Sequence, residues 1–431
     1  MRSNILQSAL NVSLESNLDG EPSEINPVTS ETVVELDEVL EEVRVAGDQV
    51  EGEEAAVDEL SDAADSLESL IVALESAVAA GGMSPQTADT HNRAMAIAMR
   101  RLPVQKTDYT LSVESFGGTG DKLQASMEAL EGAKALLEKL WNGIKTAVLN
   151  AWNAIKGFYD RIGKSGPAVV AAGKSLKQKA QGIKITASEK QYTMGQAAAN
   201  ALMVEGKFNP TAALGAVVTG YDVGVANYSS RMLSALSPLI AVVEGGQVTP
   251  QRLNEAASKV DADACLTEDM KGKLPGGAFF DLTIGDGEGL SMLSKTSLKL
   301  SYDKVKATDL TVPTPSASDI GALADKVVAI GNQLIKSKST MGLVEKGVNQ
   351  IVKAGTKLAG QGGTLDKDEL AGAKSVMAQL NKASRLLTGC GPQYLQYMGA
   401  TAKAAVAFGS SVLKTYGAKE AAPAADAAAT A

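Results

Sequence analysis

The sequence predicts a mainly α-helical fold. It consists of a long amphipathic helix and a C-terminal helical bundle, with a small β-hairpin insert near 278–302 and an acidic, partly disordered helical segment at the N-terminus. Three observations carry that prediction. Apolar residues recur every three or four positions through most of the chain, the period of a helix buried on one face. Hydrophobic residues make up 45% but aromatics only 4%, with Ala and Gly abundant, which favours closely packed helices of small residues over an aromatic-lined pocket. Charge is laid out unevenly: residues 1–114 hold 23 Asp/Glu and 6 Lys/Arg, a net of −17, whereas residues 115–431 hold 27 and 35, a net of +8. Asymmetry on this scale marks two pieces with different partners.

The first thirty residues are polar, carry Pro22 and Pro27, and are expected to be loose. From about Ser30 to Ala80 the apolar positions, among them Leu36, Val43, Val50, Val57, Leu67 and Leu74, fall at helical spacing. Glu31, Glu35, Asp37, Glu38, Glu41 and Glu42 crowd the other face, and so much charge of one sign resists packing against anything but a basic surface. Gly47 and Gly52 are expected to interrupt this helix, and Gly81-Gly82 to end it. Ser84-Pro85, a capping residue followed by proline in the first turn, starts a short helix to about Arg101. Residues 103–122 read as a linker, with Pro103 and Gly117-Gly118-Thr119-Gly120.

A long amphipathic helix follows. Leu123, Met127, Leu130, Leu137, Trp141, Ile144, Val148, Ala151, Ile155, Phe158 and Ile162 form one seam over roughly eleven turns. The plain reading is a core-facing stripe. The sharper one is a helix lying on a membrane surface, because Trp141, Trp152 and Phe158 stand among lysines. Residues 163–185 carry Lys164, Lys174, Lys177, Lys179 and Lys184 without any acid, which makes these lysines candidate DNA contacts. Ala/Gly-rich helices are expected at 187–206, 210–244 and 250–265. Ala278–Ile284 and Ser297–Tyr302 alternate like strands around the turn cluster Gly285–Gly289. After Pro313 and Pro315, Ser316 or Ser318 can cap a helix to about Lys338; further helices are expected at 340–358, 366–388 and 391–416, with short joins that favour a bundle. The tail 418–431 is low in complexity and expected to be disordered. The resulting divisions are 1–114, 115–185, 186–272, 273–315, 316–417 and 418–431.

Residues that carry chemistry are sparse. His91 is the only histidine, so paired imidazole metal ligands and triad hydrolysis are not expected. The run Ala168–Ser175 ends in Gly173-Lys174-Ser175 like a phosphate loop, but Ala168 stands where that loop needs glycine, and a helix precedes it instead of a strand. The acids Asp366, Asp368 and Glu369 fit the first turn of a helix. Cys265 and Cys390, far apart in sequence, read as two reduced thiols in an intracellular compartment. No stretch is apolar for the ~18 residues a membrane span needs, and the N-terminus lacks the pattern of a secretory signal. No cofactor, metal or enzymatic activity is expected.

A short motif recurs: small residue, aliphatic, Glu, Ser. It appears at Ser13–Ser16, Ser66–Ser69, Ala73–Ser76 and Ser112–Ser115, all within the first 115 residues. Proteolysis needs an extended, accessible chain, and Ser112-Val113-Glu114-Ser115 in the linker fits best; Glu15, Glu68 and Glu75 mark secondary candidates. These sites resemble those cut by prohead proteases of large tailed bacteriophages. Ser112–Gly118 followed by a helix with Leu140-Trp141 and Trp152 is similar to the start of mature internal head proteins (prohead core or inner body) of such phages. Leu274-Pro275-Gly276-Gly277 before strands, and Val312–Ser316 opening a helix, resemble the same group. The resemblance implies a protein made in the host cytoplasm and placed in the virion interior. Its implied partners are the prohead protease, the capsid shell or other core proteins, and DNA bound without sequence preference. The seam 123–162 leaves a membrane partner as the alternative, and loss of the whole chain on maturation would make it a scaffold.

Overall fold

The computed structural model describes residues 27–99, 122–182, 188–245, 248–304, 311–360, 379–380, 382–383 and 385–420. The acidic N-terminal pattern forms a single helix, α1 (Pro27–Ala79), followed by α2 (Pro85–Met99). Ser84 caps α2 as its position suggests, accepting from the Thr87 amide at 3.2 Å. The long amphipathic seam becomes α3 (Lys122–Gly182).

α1 and α3 run antiparallel along most of their length. Gly82 lies against the backbone of Lys122, Glu75 meets Lys134, and Val57 packs with Ala147 and Ala151. Their buried residues repeat every seven positions. Leu36, Val43, Val50, Val57, Ala64 and Ile71 on α1 face a seam that includes Leu130, Leu137, Ile144, Ala151 and Phe158 on α3. This is the spacing of a coiled-coil stripe. Between the two helices near Val50 the seam opens into a groove of about 340 Å³ lined in part by Gln49, Glu53, Asn150, Asn153 and Arg161.

Beyond Ile162 the expected end of the long helix does not occur. α3 continues through Gly166-Pro167 to Gly182, because there it crosses α10 (Ala317–Gly360) at close range. A Cβ on Gly166 would meet Ile335 Cγ1 at 2.5 Å, one on Gly173 Val328 Cγ2 at 2.8 Å, and one on Gly331 the Val170 amide nitrogen at 2.8 Å. The three glycines let two backbones touch, and that packing outweighs the hydrogen bond lost at Pro167. The same logic corrects the interruption expected at Gly47: α1 passes unbroken through Gly47 and Gly52, and Gly47 abuts Gln396 of α11 (Gly391–Glu420) while Leu40 fills the space at Gly399.

Between α3 and α10 lie shorter elements. A helix expected at 187–206 is instead β1 (Ser188–Thr193), α4 (Gln196–Leu202) and the first strand of a tight hairpin, β2 (Met203–Val204) with β3 (Lys207–Phe208). Glu205 and Gly206 turn that hairpin with positive φ of 49° and 78°. The expected helix 210–244 is divided into α5 (Pro210–Tyr221), a π-turn at Asp222–Ala226, α6 (Asn227–Ala235) and α7 (Ser237–Glu244). Gln333 of α10 donates to the Val218 carbonyl at 3.0 Å and to Asp222 Oδ1 at 3.2 Å where the ladder shifts. The expected helix 250–265 shortens to α8 (Pro250–Ala257) followed by 3₁₀ turns. β4 (Ala278–Thr283) and β5 (Ser297–Tyr302) pair antiparallel around α9 (Gly289–Lys295), as the alternation predicts. β6 (Thr311–Thr314) returns to pair with β1. Helices expected at 316–338 and 340–358 are one, α10, and that expected at 391–416 is α11; most of 366–388 lies outside the described residues.

One core joins residues 36–50, 152–180, 202–300, 320–351 and 380–413, so the divisions drawn at 272/273 and 315/316 run through shared packing. A second, aliphatic core links the far half of α1, α2 and the first half of α3.

Candidate functional site

The feature that could carry function is the surface where the acidic helix meets the basic remainder. Seven large aliphatic side chains of α1 (Leu36, Val43, Val50, Val57, Leu67, Ile71 and Leu74) are buried. At about 1.5–3 kcal/mol each, they amount to a gross stabilisation on the order of 10 kcal/mol. Carboxylates then meet cations along the edges. Asp37 lies 2.9 Å from Lys403, Asp58 2.7 Å from Arg385, Asp62 3.6 Å from Lys382 and Glu75 2.6 Å from Lys134. Arg385 also donates to the Glu54 carbonyl at 2.9 Å. Burial raises the Glu54 carboxyl above its ordinary range, and nearby Arg385 opposes that rise. Partly exposed pairs of this kind contribute about 0–1 kcal/mol each, so the apolar seam holds the helix and the charges set its place.

The sequence-predicted site residues are scattered over this frame. Ser112, Val113, Glu114 and Ser115 lie outside the described residues, as do Glu15 and Lys184. Glu68 and Glu75 lie within α1, each following a buried leucine, Leu67 and Leu74. A protease would have to unfold that stretch before cutting it. Lys164 and Lys174 are exposed on α3. Lys177 is engaged by Asp325 at 2.7 Å, and burial beside Lys414 lowers the pKa of Lys179. Lys174 is thus not part of a phosphate loop; it follows Gly173, a helix-crossing glycine.

Trp152 and Phe158 are buried, so that stretch of the amphipathic face is spent on the core and is closed to lipid in the folded chain; the side chain of Trp141 lies outside the described residues. Among the described residues no helix is long and apolar enough to cross a membrane. Nor do three His, Cys, Asp or Glu side chains converge there as metal ligands would. Cys265 and Cys390 are free and buried; burial raises the Cys265 thiol and pushes Cys390 up to about 12, which makes both poor nucleophiles. Sequence reasoning missed Lys134, Lys382, Arg385 and Lys403 as the cations that receive the acidic helix. The seven-residue repeat from Leu36 to Ile71 was the available signal that α1 docks.

Residues 31–411 match the family of phiKZ-like phage internal head proteins. The chain belongs to that family. The match begins near the start of α1 and ends within α11, so it takes in the acidic helix as well as the basic body. No curated protein and no solved structure matches it. As an internal head protein, the chain sits inside the phage particle, in association with head components.

Proposed function

We propose that this internal head protein is a structural component. It is assembled in the prohead, cut after Glu114 by the prohead protease, and kept as a basic body beside the packaged DNA. The observation that carries the reading is the division of charge, −17 before the cut and +8 after it. A body with net positive charge is drawn to phosphate wherever lysines are free, with no need of base contacts. Lys164 and Lys174, exposed on α3, are the first candidates for that contact, with Lys184 a further candidate. While the acidic segment is attached, its carboxylates repel the same phosphates and occupy four body cations. The reading requires neither an active site nor a cofactor.

The N-terminal residue of the protein recovered from mature heads tests the cut. Ser115 is expected, and Met1 rejects the reading. Binding of the cut body to unrelated DNA duplexes should weaken steeply between 50 and 200 mM salt, on the order of tenfold or more if only a few phosphates are contacted. Affinity indifferent to salt would reject the phosphate contact. Disappearance of the whole chain from mature heads would make it a scaffold instead.

A further inference from the structure

We propose that the stripe of α3 now covered by α1 and α2 is a self-association surface. Once the acidic segment has been cut off and has left, the same stripe of a second body takes its place, antiparallel. The inference rests on the cleavage reading above and adds what the cut exposes.

The second, aliphatic core has two sides. Its α3 side is Leu130, Leu136, Leu137, Leu140 and Ile144 with alanines among them; the other side, among the described residues, comes entirely from residues 60–95. Ala147, further along α3, packs with Val57 and Leu60 of α1. Loss of residues 1–114 therefore strips this stripe of every described side chain packed on it from outside α3. From Leu130 to Ala147 it runs about 26 Å at 1.5 Å per residue. A bare apolar stripe of that length is rare on a monomer, and a helix with nothing packed on it is marginal in water.

The pattern of the stripe is complementary to itself. Leu130, Leu137 and Ile144 repeat every seven positions, and Ala133, Leu140 and Ala147 follow each of them by three; all six are buried. This is the spacing of a two-stranded seam. A second copy laid antiparallel about a twofold axis between residues 138 and 139 sets Leu130 opposite Ala147, Ile144 opposite Ala133 and Leu137 opposite Leu140. Outside the central pair each large side chain meets a small one, the alternation that fills a seam at close packing. The face already holds α1 as an antiparallel helix with the same seven-residue repeat, so it is shaped for such an occupant. Charge favours a second copy as well. Residues 122–148 hold three Glu and four Lys, whereas 163–185 holds five Lys and no acid. Two copies thus meet where their net repulsion is least, and their basic bodies lie at opposite ends of the overlap. The pair carries twice the +8 of one body and can hold phosphate at two places.

The test uses the full chain carrying a sequence-specific protease site inserted between residues 103 and 121. At about 10 μM the uncut chain should have the mass of a monomer, and the cut chain should shed its acidic fragment and have twice the mass of one body. A shed body that stays monomeric overturns the proposal, and so does a fragment that stays bound. Leu130→Cys combined with Ala147→Cys checks the register. The two positions lie roughly 26 Å apart on one helix, too far to join within a chain. On oxidation the cut double variant should therefore form a covalent dimer, and the uncut one should not. A covalent dimer of Leu130→Cys alone would mean parallel helices and overturn the antiparallel seam. Flotation of a monomeric cut chain with vesicles of phosphatidylserine and phosphatidylcholine would assign the stripe to lipid instead. The N-terminal residue of the head protein judges the cleavage reading separately: Met1 there ends that reading, while the mass of the cut chain still decides the pairing.

Discussion

The limb made by residues 60–99 and 122–148 and the body built around residues 150–300 and 317–413 are held by different chemistry. The limb core is aliphatic: Leu67, Leu74, Met95, Leu130, Leu137 and Ile144 are buried there, and no Phe, Tyr or Trp is among its described buried residues. The described ring pairs lie in the body. Phe158 and Tyr159 meet edge to face at 5.8 Å, and Phe280 stacks on Tyr394 at 5.3 Å. Its tyrosine hydroxyls also reach backbone carbonyls: Tyr394 donates to Val217 within α5, Tyr397 to Pro275 and Tyr416 to Pro315 at 2.7–2.9 Å. The difference teaches where each kind of residue is needed. Parallel stripes suffice for helices that simply lie side by side. Short helices, hairpins and 3₁₀ turns meet at irregular angles, and a ring with a polar tip fills the space between them while its hydroxyl ties one segment to another.

That contrast can be broken in order of expected effect. Phe158→Ala, in the body, should cost about 3–5 kcal/mol and lower the melting temperature of the whole protein, read by thermal unfolding. Loss of limb protection alone would contradict it. Leu137→Ala should cost about 2–5 kcal/mol but act locally, speeding amide exchange in 60–99 and 122–148 while 391–416 keeps its protection. Equal loss in both regions would mean that the two cores unfold as one. Gly331→Val should cost about 1–3 kcal/mol in the body, since its Cβ would lie 2.8 Å from the Val170 nitrogen and 2.9 Å from the Gly166 carbonyl. Tyr397→Phe should cost about 1 kcal/mol, because it removes the hydroxyl's bond to the Pro275 carbonyl and leaves that oxygen with the Ala278 amide alone.

The smallest effect concerns pH. His91 in the limb is buried with Nε2 unpartnered, and burial lowers its pKa below the ordinary 6.5. The unfolded chain therefore binds a proton that the folded limb refuses, so limb stability declines as pH falls below about 6.5. Amide exchange in α2 should quicken between pH 7.5 and 5.5, after correction for intrinsic rates, and H91L should flatten that dependence. An unchanged slope in H91L would remove the histidine from the account.

The fold class was legible because helical spacing and strand alternation are local. Ala278–Thr283 and Ser297–Tyr302 pair as their alternation predicts. The extents of the long helices were not, because a glycine looks the same in sequence whether it breaks a helix or admits a neighbour. Gly47, Gly166 and Gly173 have their reasons in Gln396, Ile335 and Val328, more than 150 residues away. β1 was missed for a similar cause. Ser188–Thr193 is mostly polar, and its partner Thr311–Thr314 lies beyond a whole run of helices. At the candidate site, the acidic density of α1 was visible and so was its apolar stripe. The cations that answer it, from Lys134 on α3 through Lys382 and Arg385 to Lys403 on α11, sit on three different segments that only the fold brings together.

The paired notches between α1 and α11 also settle a question of alignment. A seven-residue stripe looks alike to its partner after a slide of one repeat, about 10 Å along the axis, so aliphatic repeats alone permit several settings. A slide that way brings Glu54 or Leu40 to the place beside Gln396 that Gly47 now leaves free, and draws Leu40 out of the hollow at Gly399. One setting of the ratchet closes without a collision or a void, and Asp37, Asp58, Asp62 and Glu75 thereby each meet their own cation.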